Sequence, residues 1–288
     1  MAVSERDPYT GKLTTGHDWN GIKELDTPIP RIVLIFLAVT VLFAIAWTTL
    51  MPAWPYITSY TKGLLNTDQR AEVAEAVAEG VAERAAWTAR IEAEDFAAIE
   101  ADPALMQVVR EAGATLFGDN CAACHGLDAR GGPGFPNLAE APTMWGDDPE
   151  TIAETIRVGI NSDHPETRFA QMLAFGRDQM LDRASIQAVV AYVRGLSDPS
   201  VSDATGTGEQ IFADNCAGCH GDDATGIPGS GAPDLADAYW IYGGDHETVY
   251  RTVFGGRQGH MPQWEHRLSP VDIKLLTLYV LDRRGAAT

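Results

Sequence analysis

The sequence predicts an all-α protein: one N-terminal transmembrane helix followed by two tandem copies of a small helical domain. Three observations predict it. The run IVLIFLAVTVLFAIAWTTL, Ile32 to Leu50, carries no charge; the octet DNCAACHG at residues 119–126 returns as DNCAGCHG at residues 214–221; and no stretch sustains the period-two alternation of a half-buried strand.

Residues 1–31 are polar and mixed in charge, and they end in Thr27-Pro28-Ile29-Pro30-Arg31, a stiff extended lead-in rather than a helix. At about 1.5 Å per residue the uncharged run that follows matches the thickness of a bilayer's hydrocarbon core, so residues 32–52 are assigned to a membrane span. Arg31 bounds it on one side; Trp47, Trp54 and Tyr56 sit at the other, where interfacial aromatics belong. A cleaved signal peptide fits poorly: Ala44-Ile45-Ala46 imitates a cleavage site, but residues 1–31 are not a short basic leader. A buried core helix would show a polar face, and this run has none. Arg6, Lys12, Lys23 and Arg31 precede the span against Lys62 and Arg70 soon after it, which orients the N-terminus to the cytoplasm.

Residues 53–103 read as a helical stalk or linker, because Thr67 to Met106 is rich in Ala and Glu with apolar residues at helical spacing. The whole chain is acidic, with 40 Asp and Glu against 21 Lys and Arg and a net charge of −19. Phosphates would be repelled, so nucleic acid is excluded as a partner and basic proteins are expected instead.

The rest is a duplication, residues 104–198 and 199–288. Around the octets Phe117 matches Phe212, Asp128 matches Asp223, and Gly131, Pro133 and Gly134 match Gly226, Pro228 and Gly229. Further on, Pro136, Gly146, Thr155 and Gly159 match Pro233, Gly243, Thr252 and Gly256. Both copies end in a helix, with Ile186 and Tyr192-Val193 matching Ile273 and Tyr279-Val280, and each copy is expected to be closed by its own terminal helix.

The chain's four cysteines all lie in the two C-x-x-C-H motifs. Cys121 with Cys124, and Cys216 with Cys219, are spaced to add to the two vinyl groups of one porphyrin, and His125 or His220 then lies under the iron. Gly126 and Gly221 allow compact backbone beside a flat macrocycle. A zinc site would bring two C-x-x-C pairs close together, and a redox dithiol would sit near a βαβ pattern, which is absent. Disulfides are possible in an exported domain, but none of these three alternatives explains a histidine after both pairs. The expected cofactors are therefore two covalently bound haem c groups, and the repeats are class I cytochrome c domains.

A methionine as sixth ligand would raise the potential and close the iron to substrates. Met106, Met144, Met172, Met180 and Met261 are the candidates beyond the span. Met106 precedes the first motif, Met144 aligns with Ile241, and Met180 faces Ser269 in the other copy, whereas Met172 and Met261 occupy matching places. The axial iron ligands are thus His125, Met172, His220 and Met261, and whether each methionine serves its own or the opposite haem is left open. His17, His164, His246, His260 and His266 have no repeat partner and read as solvent-facing or loop residues, with bis-histidine ligation by His164 or His260 a minor alternative.

Residues 16–31, GHDWNGIKELDTPIPR, followed by one span and two C-x-x-C-H domains, resemble the dihaem subunit III of cbb3-type cytochrome c oxidases, called FixP or CcoP. RFAQMLAFG at 168–176 adds to the likeness, with Leu173 standing where the family usually has proline. The resemblance implies an electron-transfer subunit with no catalytic residues of its own. It implies electrons taken from a donor cytochrome c or a bc-type complex and passed to the monohaem subunit, then to the haem-copper catalytic subunit, which reduces oxygen and pumps protons; a small accessory subunit completes the assembly. It also implies a bacterial inner-membrane location with the haem domains periplasmic, in keeping with the export that haem attachment requires. Two other readings remain: a membrane-tethered dihaem donor to another reductase or dehydrogenase, and a dihaem peroxidase, against which both methionines argue.

Overall fold

The computed structural model describes residues 5–140, 143–201 and 206–285. It divides into two compact units, Met1–Glu83 and Arg84–Thr288.

The first unit opens with a feature absent from the all-α expectation, an antiparallel hairpin of β1 (Thr14–Trp19) and β2 (Ile22–Leu25). Its turn is Asn20-Gly21, both with positive φ (53° and 91°), which a two-residue type I′ turn demands. Helix α1 (Arg31–Leu50) follows and is the predicted span, with no residue buried against protein. Its threonines are satisfied within the helix: the hydroxyls of Thr40, Thr48 and Thr49 donate to Phe36 O, Ala44 O and Ile45 O at 3.0, 2.8 and 2.7 Å. The chain after α1 turns back, and the N–H groups of Leu64 and Leu65 donate to Thr49 O and Leu50 O, capping the carbonyl end of the span.

The Ala/Glu-rich stretch forms three helices, α2 (Gln69–Ala93), α3 (Phe96–Ala101) and the start of α4 (Pro103–Asn120). The breaks come at Asp95 and Asp102, whose carboxylates accept from Ala98 N and Ala104 N at 2.8 Å as N-caps. The second unit continues with α5 (Ala122–His125), α6 (Pro149–Val158), α7 (Arg183–Ser197), α8 (Thr207–Asn215), α9 (Ala217–His220), α10 (His246–Gly255) and α11 (Pro270–Gly285). Lys274 of α11 reaches back to the end of α2, donating to the carbonyls of Ile91, Glu92 and Glu94 at 3.0, 3.1 and 2.7 Å.

The expectation that each copy is closed by its own terminal helix is overturned. Helix α11 of the second copy packs on α4 and α6 of the first, and α7 of the first packs on α8 and α10 of the second. One buried cluster unites Val109, Phe117, Ile152 and Ile156 with Ile273, Leu276 and Val280; the other unites Ile186, Val189 and Val193 with Phe212, Val249 and Val253. The contacts are equivalent in the two lobes. Phe117 meets Tyr279 and Phe212 meets Tyr192, each pair with ring centroids 5.5 Å apart. Because the duplicated copies present the same apolar faces, a terminal helix satisfies the other copy's groove as well as its own, and exchanging identical elements costs little.

Candidate functional site

Each C-x-x-C-H motif forms a single helical turn, α5 or α9, hung from the end of a longer helix. Cys121 N donates to Phe117 O at 2.8 Å and His125 N to Cys121 O at 3.0 Å; Cys216 and His220 repeat this at 2.7 and 3.0 Å. Burial pushes the Cys121 and Cys216 thiols up to about 11, the opposite of the depressed value a redox dithiol needs. Among the described residues no three His, Cys, Asp or Glu side chains group as a metal cluster.

Both histidines are oriented by the backbone. His125 Nδ1 lies 3.3 Å from Pro136 O and His220 Nδ1 3.0 Å from Pro233 O. A carbonyl only accepts, so Nδ1 carries the proton in each ring and Nε2 keeps its lone pair for a metal. Burial holds both imidazoles below the usual histidine range, which keeps them neutral.

His125 lines a cavity of about 410 Å³ whose wall includes Met144, Trp145, Ile156 and Met261. Here the crossing of the lobes reaches the site, for Met261 belongs to the second copy. The equivalent place in the other lobe holds Met172 of the first copy, packed in the cluster that contains Cys216, Leu235 and Trp240. Each methionine is held by a reciprocal backbone bridge. Met261 exchanges N–H···O bonds with Ile160 at 2.9 Å each way, and Met172 exchanges them with Arg257 at 2.8 and 3.3 Å. Gly159 and Gly256, immediately before Ile160 and Arg257, have φ of 71° and 69°. A Cβ at either glycine would collide with the carbonyl oxygen of the facing methionine, so glycine is required at both.

The other sequence candidates separate cleanly. Met106 is core packing on α4, and Met180 is half exposed. Met144 shares the His125 cavity, but so does Ile241, its repeat counterpart, which has no sulfur. His164 is not solvent-facing: it is 6% exposed, with Nε2 2.9 Å from Glu265 Oε1 and Nδ1 accepting from Glu166 N at 3.0 Å. Both its nitrogens are occupied, so it has none to offer a metal. His260 Nδ1 engages Asn161 O at 2.9 Å.

Two matched pairs escaped the sequence reading, and a third, Ala129 and Ala224, aligns there without a role. Gly113 and Gly208 lie where the terminal helices cross. Arg168 and Arg257, each placed shortly before its methionine, stack over Trp145 and Tyr242 at 5.2 and 4.1 Å. Ala129 and Ala224 are buried with positive φ, 61° and 62°, and their carbonyls accept from Leu138 N and Leu235 N. The repeat itself was the available signal.

Three family models match parts of the chain. One described as the N-terminal domain of cytochrome oxidase-cbb3, FixP, matches residues 11–58; one for cytochrome c matches 110–197; and one for cytochrome c oxidase, cbb3-type, subunit III, matches 203–280. Among curated proteins, a cbb3-type cytochrome c oxidase subunit FixP from a Bradyrhizobium species is 47% identical over 96% of each chain. The FixP of Bradyrhizobium diazoefficiens is 44% identical over 96% of each chain, and the CcoP of Cereibacter sphaeroides 44% over 93%. The chain belongs to the FixP/CcoP family. Each thiol pair of this FixP/CcoP chain therefore sits in a cytochrome c domain and carries one covalently bound c-type haem. The apolar helix α1 anchors it in a membrane.

Proposed function

We propose that the chain is the dihaem relay of a cbb3-type oxidase in the bacterial inner membrane. It takes electrons from a donor cytochrome c or a bc-type complex and passes them to the monohaem subunit and the oxygen-reducing, proton-pumping haem-copper subunit, alongside a small accessory subunit. The four basic residues up to and including Arg31, the first residue of α1, support a cytoplasmic N-terminus, with the haem domains periplasmic. The acidic surface steers a basic donor toward them.

The single observation that carries the chemistry is the pairing of His125 with Met261 across one cavity. In this reading His125 and Met261 would hold the iron of the haem on Cys121 and Cys124, and His220 and Met172 that of the haem on Cys216 and Cys219. When bound, haem c would supply a one-electron iron centre, closed to substrate where a histidine and a methionine both hold it. The residues do the remaining work. Pro136 O and Pro233 O fix the imidazoles, the backbone bridges at Ile160 and Arg257 hold the methionines, and Trp145, Ile152 and Ile156 keep water from the first site. Pro233, whose carbonyl holds His220, also lines the His125 cavity, so the two sites share a wall and an electron has a short path between them.

The test is haem retention with carbon monoxide binding. After acid–acetone extraction the full chain keeps its pigment, the double variant C121A/C124A keeps half, and the reduced parent chain binds no carbon monoxide. Pigment lost from the parent chain, or carbon monoxide bound at both irons, would contradict the relay.

A further inference from the structure

The two lobes repeat one another, yet they clasp their methionine strands by different chemistry. In the lobe that holds Met172, Phe254 O accepts from Gly176 N and Arg177 N at 3.2 and 2.9 Å, and the Phe254 ring lies against the bare Gly176 backbone. The clasp is apolar. In the lobe that holds Met261, Arg157 stands in the place of Phe254, and its carbonyl accepts from Trp264 N and Glu265 N at 3.1 and 3.4 Å. Counted from the methionine, Glu265 corresponds to Gly176; by its N–H bond it corresponds to Arg177.

Around that exchange the first copy has built a polar cluster. Arg157 Nη1 donates to Glu265 Oε2 at 2.6 Å, its Nε and Nη2 donate to Glu154 at 2.8 Å each, and Nη2 also donates to Glu166 Oε2 at 2.5 Å. His164 donates from Nε2 to Glu265 Oε1 at 2.9 Å, so both Glu265 oxygens are engaged. The His164 tautomer is set by Glu166 N–H, which occupies Nδ1. Its imidazole and Glu166 come from residues 161–167, which have no counterpart in the second copy: there Arg257 alone takes the place of Ile160 in the methionine bridge and of Arg168 in the aromatic stack. A segment present in one copy alone thus supplies the partner for a residue four places beyond one methionine alone.

We propose that residues 161–167 form, with Arg157, a polar latch in which His164 and Arg157 position the Met261 strand through Glu265 and thereby hold the sixth ligand on the Cys121/Cys124 haem. This rests on Met261 being that ligand. These are positioning residues, since none of them faces the cavity. The latch makes the two haems unequal by construction. Glu265 is held by charge-assisted hydrogen bonds that a single substitution removes, while the Met172 strand, clasped by Phe254, has no such dependence.

The experiment uses the full haem-loaded chain carrying Met172→His, which leaves one methionine–iron bond in the molecule. Its readouts are the far-red sulfur-to-iron band of the ferric protein and carbon monoxide binding after reduction. Adding Glu265→Gln is expected to weaken the band and open one haem of the two to carbon monoxide, with haem content unchanged. In a Met261→His background, where Met172 keeps its sulfur, the same Glu265→Gln leaves the band intact. A band unaltered by Glu265→Gln in the first background overturns the latch. A band that survives Met261→Ala there shows instead that Met261 is not the ligand, which separates the two failures. If Glu265→Gln does not accumulate with both haems, His164→Asn, which removes one of the two partners of Glu265, is judged by the same criterion.

Discussion

Tyr279 of α11 lies directly over Gly113 of α4: a Cβ on Gly113 would stand 2.8 Å from Tyr279 Cβ. The same contact recurs between Gly208 and Tyr192 at 2.7 Å, so each first helix is bare where the other copy's last helix crosses it. Replacing Gly113 by valine overpacks the crossing and is expected to destabilise the unit by about 1–3 kcal/mol in denaturant unfolding. Since α11 follows the Met261 strand, G113V is also expected, under the proposed ligation, to loosen Met261 at the Cys121/Cys124 haem and to leave the other haem as it was. Equal loosening of both haems would contradict the crossed arrangement.

Acid should act on the helix caps. Asp102 is held below the usual carboxylate range first by Arg90, Asp148 first by the Thr151 hydroxyl, Asp182 first by Ser185 N–H, and Asp245 first by the Thr248 hydroxyl. The unfolded chain binds these protons more readily than the folded one. Stability from the caps is therefore complete above the unfolded value, about pH 4, and is lost as pH falls through the depressed folded values. Melting followed by circular dichroism is expected to stay level from about pH 7 to about pH 5 and to drop below about pH 4. A steady decline across the upper interval would show that other groups govern it.

Ionic strength should act on the donor. A chain of net charge −19 attracts a basic cytochrome over a range that salt shortens, to about 8 Å at physiological strength. Stopped-flow reduction by a basic donor is expected to slow as salt rises, and reduction by a small neutral reductant to change little. A donor rate indifferent to salt would remove the acidic surface from the account.

How much of this could be read from the chain varies with the range of the interaction. The span was plain because Ile32–Leu50 is uncharged throughout, and both thiol pairs with their histidines were plain because a local spacing carries the chemistry. The hairpin was missed for a different reason. Its strands, TTGHDW and IKEL, are largely exposed and show no apolar alternation, and the informative signal was the Asn20-Gly21 turn. The three-way break of the Ala/Glu stretch lay in two aspartates whose capping role competes with helix propensity.

The crossing could not be read from either copy alone. Gly113 and Gly208 are the same residue, as are Tyr192 and Tyr279, so self-closure and exchange make the same local contacts. Only the three-dimensional path of the chain distinguishes them. His164 escaped for a related reason: its partner Glu265 is remote in sequence and lies in the other copy, so nothing near the histidine marks it as buried.

The central claim is that each iron takes its imidazole from one copy and its thioether from the other. The most direct measurement is the far-red sulfur-to-iron band in the single-haem protein C121A/C124A, where the remaining haem hangs on Cys216, Cys219 and His220. The account predicts that Met172→Ala abolishes the band and Met261→Ala leaves it in place. Loss with Met261→Ala and survival with Met172→Ala would contradict it.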